Sequence, residues 1–323
     1  MSLHPFEHLT PHFILDAVES TGVFSDARIY PLNSYENRVY QIGIENASPL
    51  IAKFYRPNRW SKEQLMEEHN TLLQLKKAGV NVVSPIEFTG ETLLSHKGFR
   101  FCLYNKIQGQ SPDADNMDHL FKTGELIGAM HREMQPLSLH YRKPLAPLDI
   151  IKEASDKIAN SNRIQNRVKP IYKRLIDDIT VKATQSLTTH WPETLHLIHG
   201  DCHRSNLLLH DDQLSLLDFD DCTLGPQVQD IWLHLSGDLS MQKQQLSELI
   251  EGYECHHSFD HSQLTLIDPL KAMRIIQYSA WLHDRWEDPA FPKAFPWFAS
   301  EDYWANHLSQ LKECLNQWGE LSH

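Results

Sequence analysis

Three polar residues of the chain are spaced as a phosphate-handling set: Asp201, Asn206 five residues on, and Asp218 seventeen residues after Asp201. They fall in LIHGDCHRSNLLLHDDQLSLLDFDD, from Leu197 to Asp221, where short apolar runs flank each of them. A carboxylate, a carboxamide and a second carboxylate, carried on two apolar segments joined by a turn, can position a hydroxyl nucleophile and hold magnesium against a triphosphate. On chemical grounds Asp201 would orient the attacking hydroxyl and accept its proton. Asn206 and Asp218 would be magnesium ligands, as hard oxygen donors that leave positions for phosphate and water. The pattern implies phosphoryl transfer, with Asp201 and Asp218 as catalytic residues.

The element that could add an ammonium to those phosphates lies in the first part of the chain. Segments 27–32, 38–45 and 50–55 read as strands, with turn residues Asn33-Ser34 and Asn46-Ala47-Ser48-Pro49 between them, and predict two antiparallel hairpins. On the third strand Leu50, Ala52 and Phe54 share one face, and Ile51, Lys53 and Tyr55 the other. By itself the strand leaves Lys53 equally open to a site role and to an edge lysine reaching water. The following helix tips the balance. Ser61 and Gln64 have the spacing of a capping box, Gly79 ends the helix, and Leu65, Glu68, Leu72 and Leu75 form one stripe. An acid in an apolar stripe needs a partner, and Lys53 is the candidate; Glu67, one position off the stripe, is the competitor. A lysine held by a helix glutamate places an ammonium on nucleotide phosphates. The turn 33–37 lies where a phosphate-covering loop would lie. It has no glycine, so contact would fall to backbone N–H groups and the Ser34 hydroxyl, and an ordinary hairpin turn explains it as well.

At 323 residues the chain suits two lobes. Segments 83–88, 91–95 and 98–104 are expected to complete the first sheet. Asn105 to Pro112 then breaks the pattern. The boundary placed there gives an N-terminal nucleotide-binding lobe over 1–106 and a C-terminal catalytic and substrate lobe over 107–323. Beyond it the patterns are mainly helical, including 118–135, 148–190 and the tail from Ser240, where Asp268-Pro269 reads as an N-cap and first helical residue. A net charge of -12 argues against non-specific binding to nucleic acid or an anionic membrane. No run approaches 18 apolar residues and the N-terminus has no signal pattern, so a cytoplasmic protein is expected. Five scattered cysteines show no CxxC, and no HExxH or GxxxxGK[ST] occurs, which speaks against a zinc site and a Walker-type nucleotide site.

HGDCHRSN followed by LLDFDD resembles the catalytic loop and metal-binding strand of the aminoglycoside phosphotransferase and choline kinase group, a branch of the protein-kinase-like fold. Lys53, Glu68, Asp201, Asn206 and Asp218 occur in that family's order. The segments NSYENRVYQ, KFYRP, EEH, HGDCH, GPQVQD and DPAFPKAFPW are similar to a bacterial branch of the group that is linked to survival under stress. The resemblance implies an α+β bilobal protein-kinase-like fold, with a small antiparallel sheet lobe carrying one helix and a larger, mainly helical lobe. It further implies a cytoplasmic serine/threonine protein kinase that uses ATP as co-substrate and Mg2+, acts on a protein hydroxyl, and places Ser34 near the phosphates. A monomer is expected. The alternative is a small-molecule kinase acting on an amino alcohol, amino sugar or homoserine.

Several residues stay open. Asp220 and Asp221 read more readily as solvated turn acids than as neighbours of the metal. Asp230 reads either as a helix-start charge or as a buttress of the catalytic loop. The aromatic segment near 288–304 reads as a structural plug or as a wall of the active cleft. Only twelve residues separate Asp218 from Asp230, too few for a long activation segment.

Overall fold

The computed structural model describes residues 4–322. Its first part contains α1 (Pro11–Glu19), β1 (Ser25–Pro31), β2 (Arg38–Ile44), β3 (Ala47–Phe54), α2 (Lys62–Lys77), β4 (Leu94–His96) and β5 (Phe99–Asn105). Each helix starts as its residues dictate. Thr10 accepts a hydrogen bond from Phe13 N ahead of Pro11, and Ser61 and Gln64 form a reciprocal capping box. Gly79, at φ +84°, follows the end of α2. The five strands are antiparallel in the order β1-β2-β3-β5-β4. Ala52 and Phe54 pack with Ile14, Ala17 and Val18 of α1, while Tyr55 packs with Leu65 of α2 and with Cys102 and Tyr104 of β5. The sheet is therefore covered on both faces, one helix to each.

Three local expectations are corrected. The turn after β2 is shorter than 46–49: β3 already begins at Ala47, with Asn46 left-handed at φ 56°. Pro49, which has no N–H to offer a ladder, lies where the β2–β3 register shifts. Segment 83–88 is not a sheet strand. The Val83 N–H donates to Leu216 O at 3.0 Å in the large lobe, Ile86 N–H donates to Leu103 O at 2.7 Å, and Pro85 between them cannot continue a ladder. Of segment 91–95, Glu91 pairs only with Phe88, and β4 takes up the last two positions.

After Asn105 the chain continues through α3 (Met117–Met134), α4 (Pro147–Ala159), α5 (Lys169–His190), β6 (His196–Ile198), β7 (Leu207–His210), β8 (Gln213–Leu216) and β9 (Thr223–Gly225). It ends with α6 (Val228–Trp232), α7 (Leu239–Glu254), α8 (Ile267–Arg285), α9 (Ala290–Ala294) and α10 (Glu301–Asn316). α3 and α7 cross closely because glycines face each other's backbone: a Cβ on Gly124 would lie 2.1 Å from Leu249 O, and one on Gly252 2.0 Å from Phe121 O. Two antiparallel ribbons, β6–β9 and β7–β8, sit on this helical body. α8 begins one residue before the expected cap, and the Asp268 carboxylate instead accepts from Gly319 N at 2.7 Å, tying down the C-terminal end. Among the described residues no helix is long and apolar enough to cross a membrane.

Candidate active site

The two ribbons bring the opening motif together. After β6 the chain turns at Gly200, left-handed at φ 83°, where a Cβ would lie 2.3 Å from Asp221 O. Asp201 follows, and a single 3-10 turn (Arg204–Asn206) delivers Asn206 to the start of β7. Asn206 Nδ2 donates to Asp201 O at 3.0 Å, and its own carbonyl accepts from Leu217 N at 2.8 Å. Asp218, next in sequence, is left-handed at φ 55°. For a non-glycine residue that conformation is uncommon, although aspartate adopts it more readily than most.

Asp230 is fully buried, so it is no helix-start charge. It accepts from His199 N at 2.7 Å and Gly200 N at 2.9 Å, and its Oδ2 lies 2.9 Å from His131 Nε2. His199 Nε2 donates to Leu217 O at 2.7 Å, while its Nδ1 accepts from Asp201 N at 3.3 Å. These partners set the ring tautomer and tie the Asp201 turn to the Asp218 strand.

Lys53 lies on a central strand, opposite Val39 and Cys102, with its side chain buried. Its Nζ is 2.8 Å from Asp218 Oδ1 and 3.5 Å from both Glu68 Oε1 and Asp220 Oδ1. Burial pulls the lysine pKa down, but the three carboxylates outweigh it and hold the ammonium well above its ordinary value. Burial pushes the Glu68 carboxyl up to about 7, against the pull of Lys53 and Arg142. Glu67 points elsewhere, its carboxylate accepting from the backbone N–H groups of His140, Tyr141 and Arg142. Arg142, which sequence reasoning missed, is buried behind the site. It reaches Glu68 Oε2 at 3.3 Å and donates to Asp220 O at 2.6 Å and Cys222 O at 3.1 Å. It belongs to no regular element, so no periodicity marks it.

Asp220 is a correction. It is buried, with Lys53, Arg59 and Asn37 Nδ2 around its carboxylate, and these hold it below the usual carboxylate range despite burial. Asp221 is exposed and pairs with Arg59. A shared arginine thus draws both acids toward the small lobe.

The turn at Ser34 is held by groups far away in sequence. Ser34 Oγ donates to Asn37 O at 3.4 Å and the residue lines the cleft. Glu36 accepts from Arg285 Nη2 at 2.9 Å and Trp281 Nε1 at 2.7 Å. Arg38 and Arg56 converge on buried Asp288, at 2.8 Å and 2.9 Å, and Tyr35 sits against Phe291 and Phe295. The aromatic segment thus has both anticipated characters: Phe291 and Phe298 are buried in the core, while Trp297 lines the cleft. Asp288→Ala should cost about 2 kcal/mol, because Arg38 and Arg56 keep backbone carbonyl partners at Tyr35, Glu36 and Asn37. It should also raise the KM for ATP severalfold by loosening the turn, which thermal melts and steady-state kinetics would check. An unchanged KM would sever the clamp from nucleotide handling.

Between the lobes runs a cleft of about 1680 Å³, larger than the usual single-ligand site and able to take a nucleotide together with an acceptor. Val39, Ile51, Val83, Tyr104 and Leu208 supply an apolar end beside the connector residues Asn105–Ile107. At the other end Asp201 faces α8. Arg274 Nη1 is 2.6 Å from Asp201 Oδ1, and His203 Nε2 is 3.5 Å from Oδ2. Burial pushes the Asp201 carboxyl up, but its hydrogen-bonding contact with His203 and the charge of Arg274 hold it well below the ordinary range. It therefore stays ionised through neutral pH.

The chain matches a model of the Phosphotransferase enzyme family (APH) over residues 28–267. It is 40% identical to stress response kinase A of Escherichia coli (strain K12) over 314 residues, which is 97% of this chain and 94% of that protein. It is also 40% identical to the serine/threonine protein kinase RdoA of Salmonella typhimurium (strain LT2) over 308 residues, 95% of this chain and 93% of that one. Among solved structures, amicoumacin kinase hAmiN in complex with AMP-PNP, Ca2+ and Ami superposes with a TM-score of 0.74. It is 19% identical, and the match covers 95% of this chain and 93% of that one.

Proposed function

The chain belongs to the phosphotransferase enzyme family and is an ATP-dependent phosphotransferase with a bilobal kinase-like fold, and from there we propose that it is a serine/threonine protein kinase. The observation that carries the choice of acceptor is near-full-length similarity, at 40% identity, to a relative named as a serine/threonine protein kinase. A stress-linked role is proposed on the same footing, from the relatives named stress response kinase A.

In this reading residues 1–106 form the nucleotide-binding lobe and 107–323 the catalytic and substrate lobe. Asp201 orients the acceptor hydroxyl and takes its proton as the oxygen attacks the γ-phosphorus. Lys53, held by Glu68, places its ammonium on the α- and β-phosphates, and Ser34 lies near the phosphates on the clamped turn. Asn206 and Asp218 would hold Mg2+. One carboxylate and one carboxamide oxygen suit that ion, which takes few protein ligands and shares the rest with phosphate and water. Among the described residues no group of three or more His, Cys, Asp or Glu could enclose a metal. Bound there, magnesium would neutralise developing charge on the transferring phosphoryl group.

Of the competing acceptors (an amino alcohol, an amino sugar or homoserine), the first two would bring an ammonium without a carboxylate toward Asp201, where Arg274 already supplies positive charge. Incubation of the purified protein with γ-labelled ATP and generic protein acceptors should label serine or threonine, and the Asp201→Ala protein should not. Labelling of a small alcohol with none on protein would overturn the reading.

A further inference from the structure

The acceptor end of the cleft carries a charge pattern that the chemistry of transfer does not require. Asp201 must meet an incoming hydroxyl, yet the side chains touching its carboxylate are Arg274, a fixed cation, and the imidazole of His203. Arg274 projects from α8 into the cleft with a side chain 40% exposed. Of its five donors, one N–H is committed to a hydrogen bond among the described residues, the one to Asp201 Oδ1. Lys271, one turn back on the same helix, and Lys143 line the same cleft, as does Tyr278 one turn ahead. Away from the phosphate-side acids, Glu313 is the acid this wall adds. A guanidinium with spare coplanar donors is suited to a carboxylate or phosphate. A hydroxyl in reach of Asp201 would bring its own neighbouring groups within reach of Arg274.

We propose that Arg274 is a specificity residue for the acceptor, pairing with an anionic group carried next to the reacting hydroxyl. On the protein-kinase reading, on which this choice of acceptor rests, the substrate is a serine or threonine flanked by an acidic side chain. Arg274 can serve both partners, with one N–H on Asp201 and others on the acceptor's anion, so the hydroxyl is drawn to the base by a group that takes no part in the bond exchange. The γ-phosphoryl bond to ADP breaks, the bond to the acceptor oxygen forms, and the hydroxyl proton passes to Asp201.

The test compares serine peptides identical except for Asp, Ala or Lys beside the serine, with a free hydroxy acid and a free amino alcohol in parallel, for wild type, Arg274→Gln and Arg274→Lys. Wild type should favour the Asp peptide over the Ala peptide by about tenfold in kcat/KM, the scale of one charge-assisted pair. Arg274→Gln should reduce that ratio to within about twofold, and Arg274→Lys should restore part of it, a pattern that a merely structural role would not produce. Peptide labelling with no acidic preference, or with a preference unchanged in Arg274→Gln, overturns this inference and leaves the protein-kinase reading standing. Labelling of the small alcohols alone overturns the protein-kinase reading; preference there for the hydroxy acid would keep the anion role of Arg274, and preference for the amino alcohol would end it.

Discussion

Asp201→Ala should lose turnover by about a thousandfold while binding ATP as the wild type does, and Asp218→Ala should lose both. On the proposed roles the two carboxylates act on opposite sides of the transfer. Asp201 faces α8 and the acceptor end, whereas Asp218 is 2.8 Å from Lys53 on the nucleotide side. Losing Asp201 removes the proposed proton acceptor and frees Arg274 into solvent; that partly exposed pair contributes no more than about 1 kcal/mol, so the fold should hold. Losing Asp218 removes a proposed metal ligand and one of the three acids around Lys53. Calorimetric titration of an ATP analogue with and without Mg2+, beside single-turnover rates, separates the outcomes. Equal loss of nucleotide binding in both variants would sink the division of roles.

The clearest part of the site in the sequence was the part with local pattern. Glu68 stood out as an acid inside an apolar helical stripe, and burial physics demanded a cation for it; the structure supplies Lys53, and adds Arg142 from a segment without periodicity. The same logic failed at Asp220. Consecutive acids at a turn look solvated, and the arrival of Lys53, Arg59 and Asn37 from the other lobe makes a buried acid tolerable there. The clamp of Arg38 and Arg56 on Asp288 joins positions more than 200 residues apart, and Arg274 meets Asp201 across 73. Neither pair has a local signature. Segment 83–88 misled in the opposite way: it is short and bounded by turn residues like a strand, but its backbone partners lie partly in the large lobe. Local rules therefore marked the groups proposed to do chemistry better than those that hold the lobes together.

The largest loss of stability is expected at a residue with no proposed chemical step. Asp230→Ala should lower stability by about 4 kcal/mol, since it strands a buried backbone donor, His199 N, and a partly buried one, Gly200 N, at roughly 1–3 kcal/mol each, and deprives His131 of its partner. For a chain of this size the melting temperature should fall by about 6 °C. Asp230→Asn should fare little better, because the NH2 that replaces one carboxylate oxygen would face a donor. Activity should suffer separately from stability. Gly200 is held left-handed against Asp221 O, and the residue after it is Asp201. With its anchor gone, Asp201 should drift from the in-line position, and kcat measured well below the melting point should fall about a hundredfold with ATP affinity retained. The same anchor accounts for the short path from Asp218 to Asp230. That path passes directly through β9 into α6, where Arg142 and Lys143 bind its backbone and Thr223, so the loop is held by built-in contacts where a long activation segment would need phosphorylation to order it. A melting temperature within about 2 °C of wild type would reduce Asp230 to a helix-start charge and remove that account of how the site stays assembled.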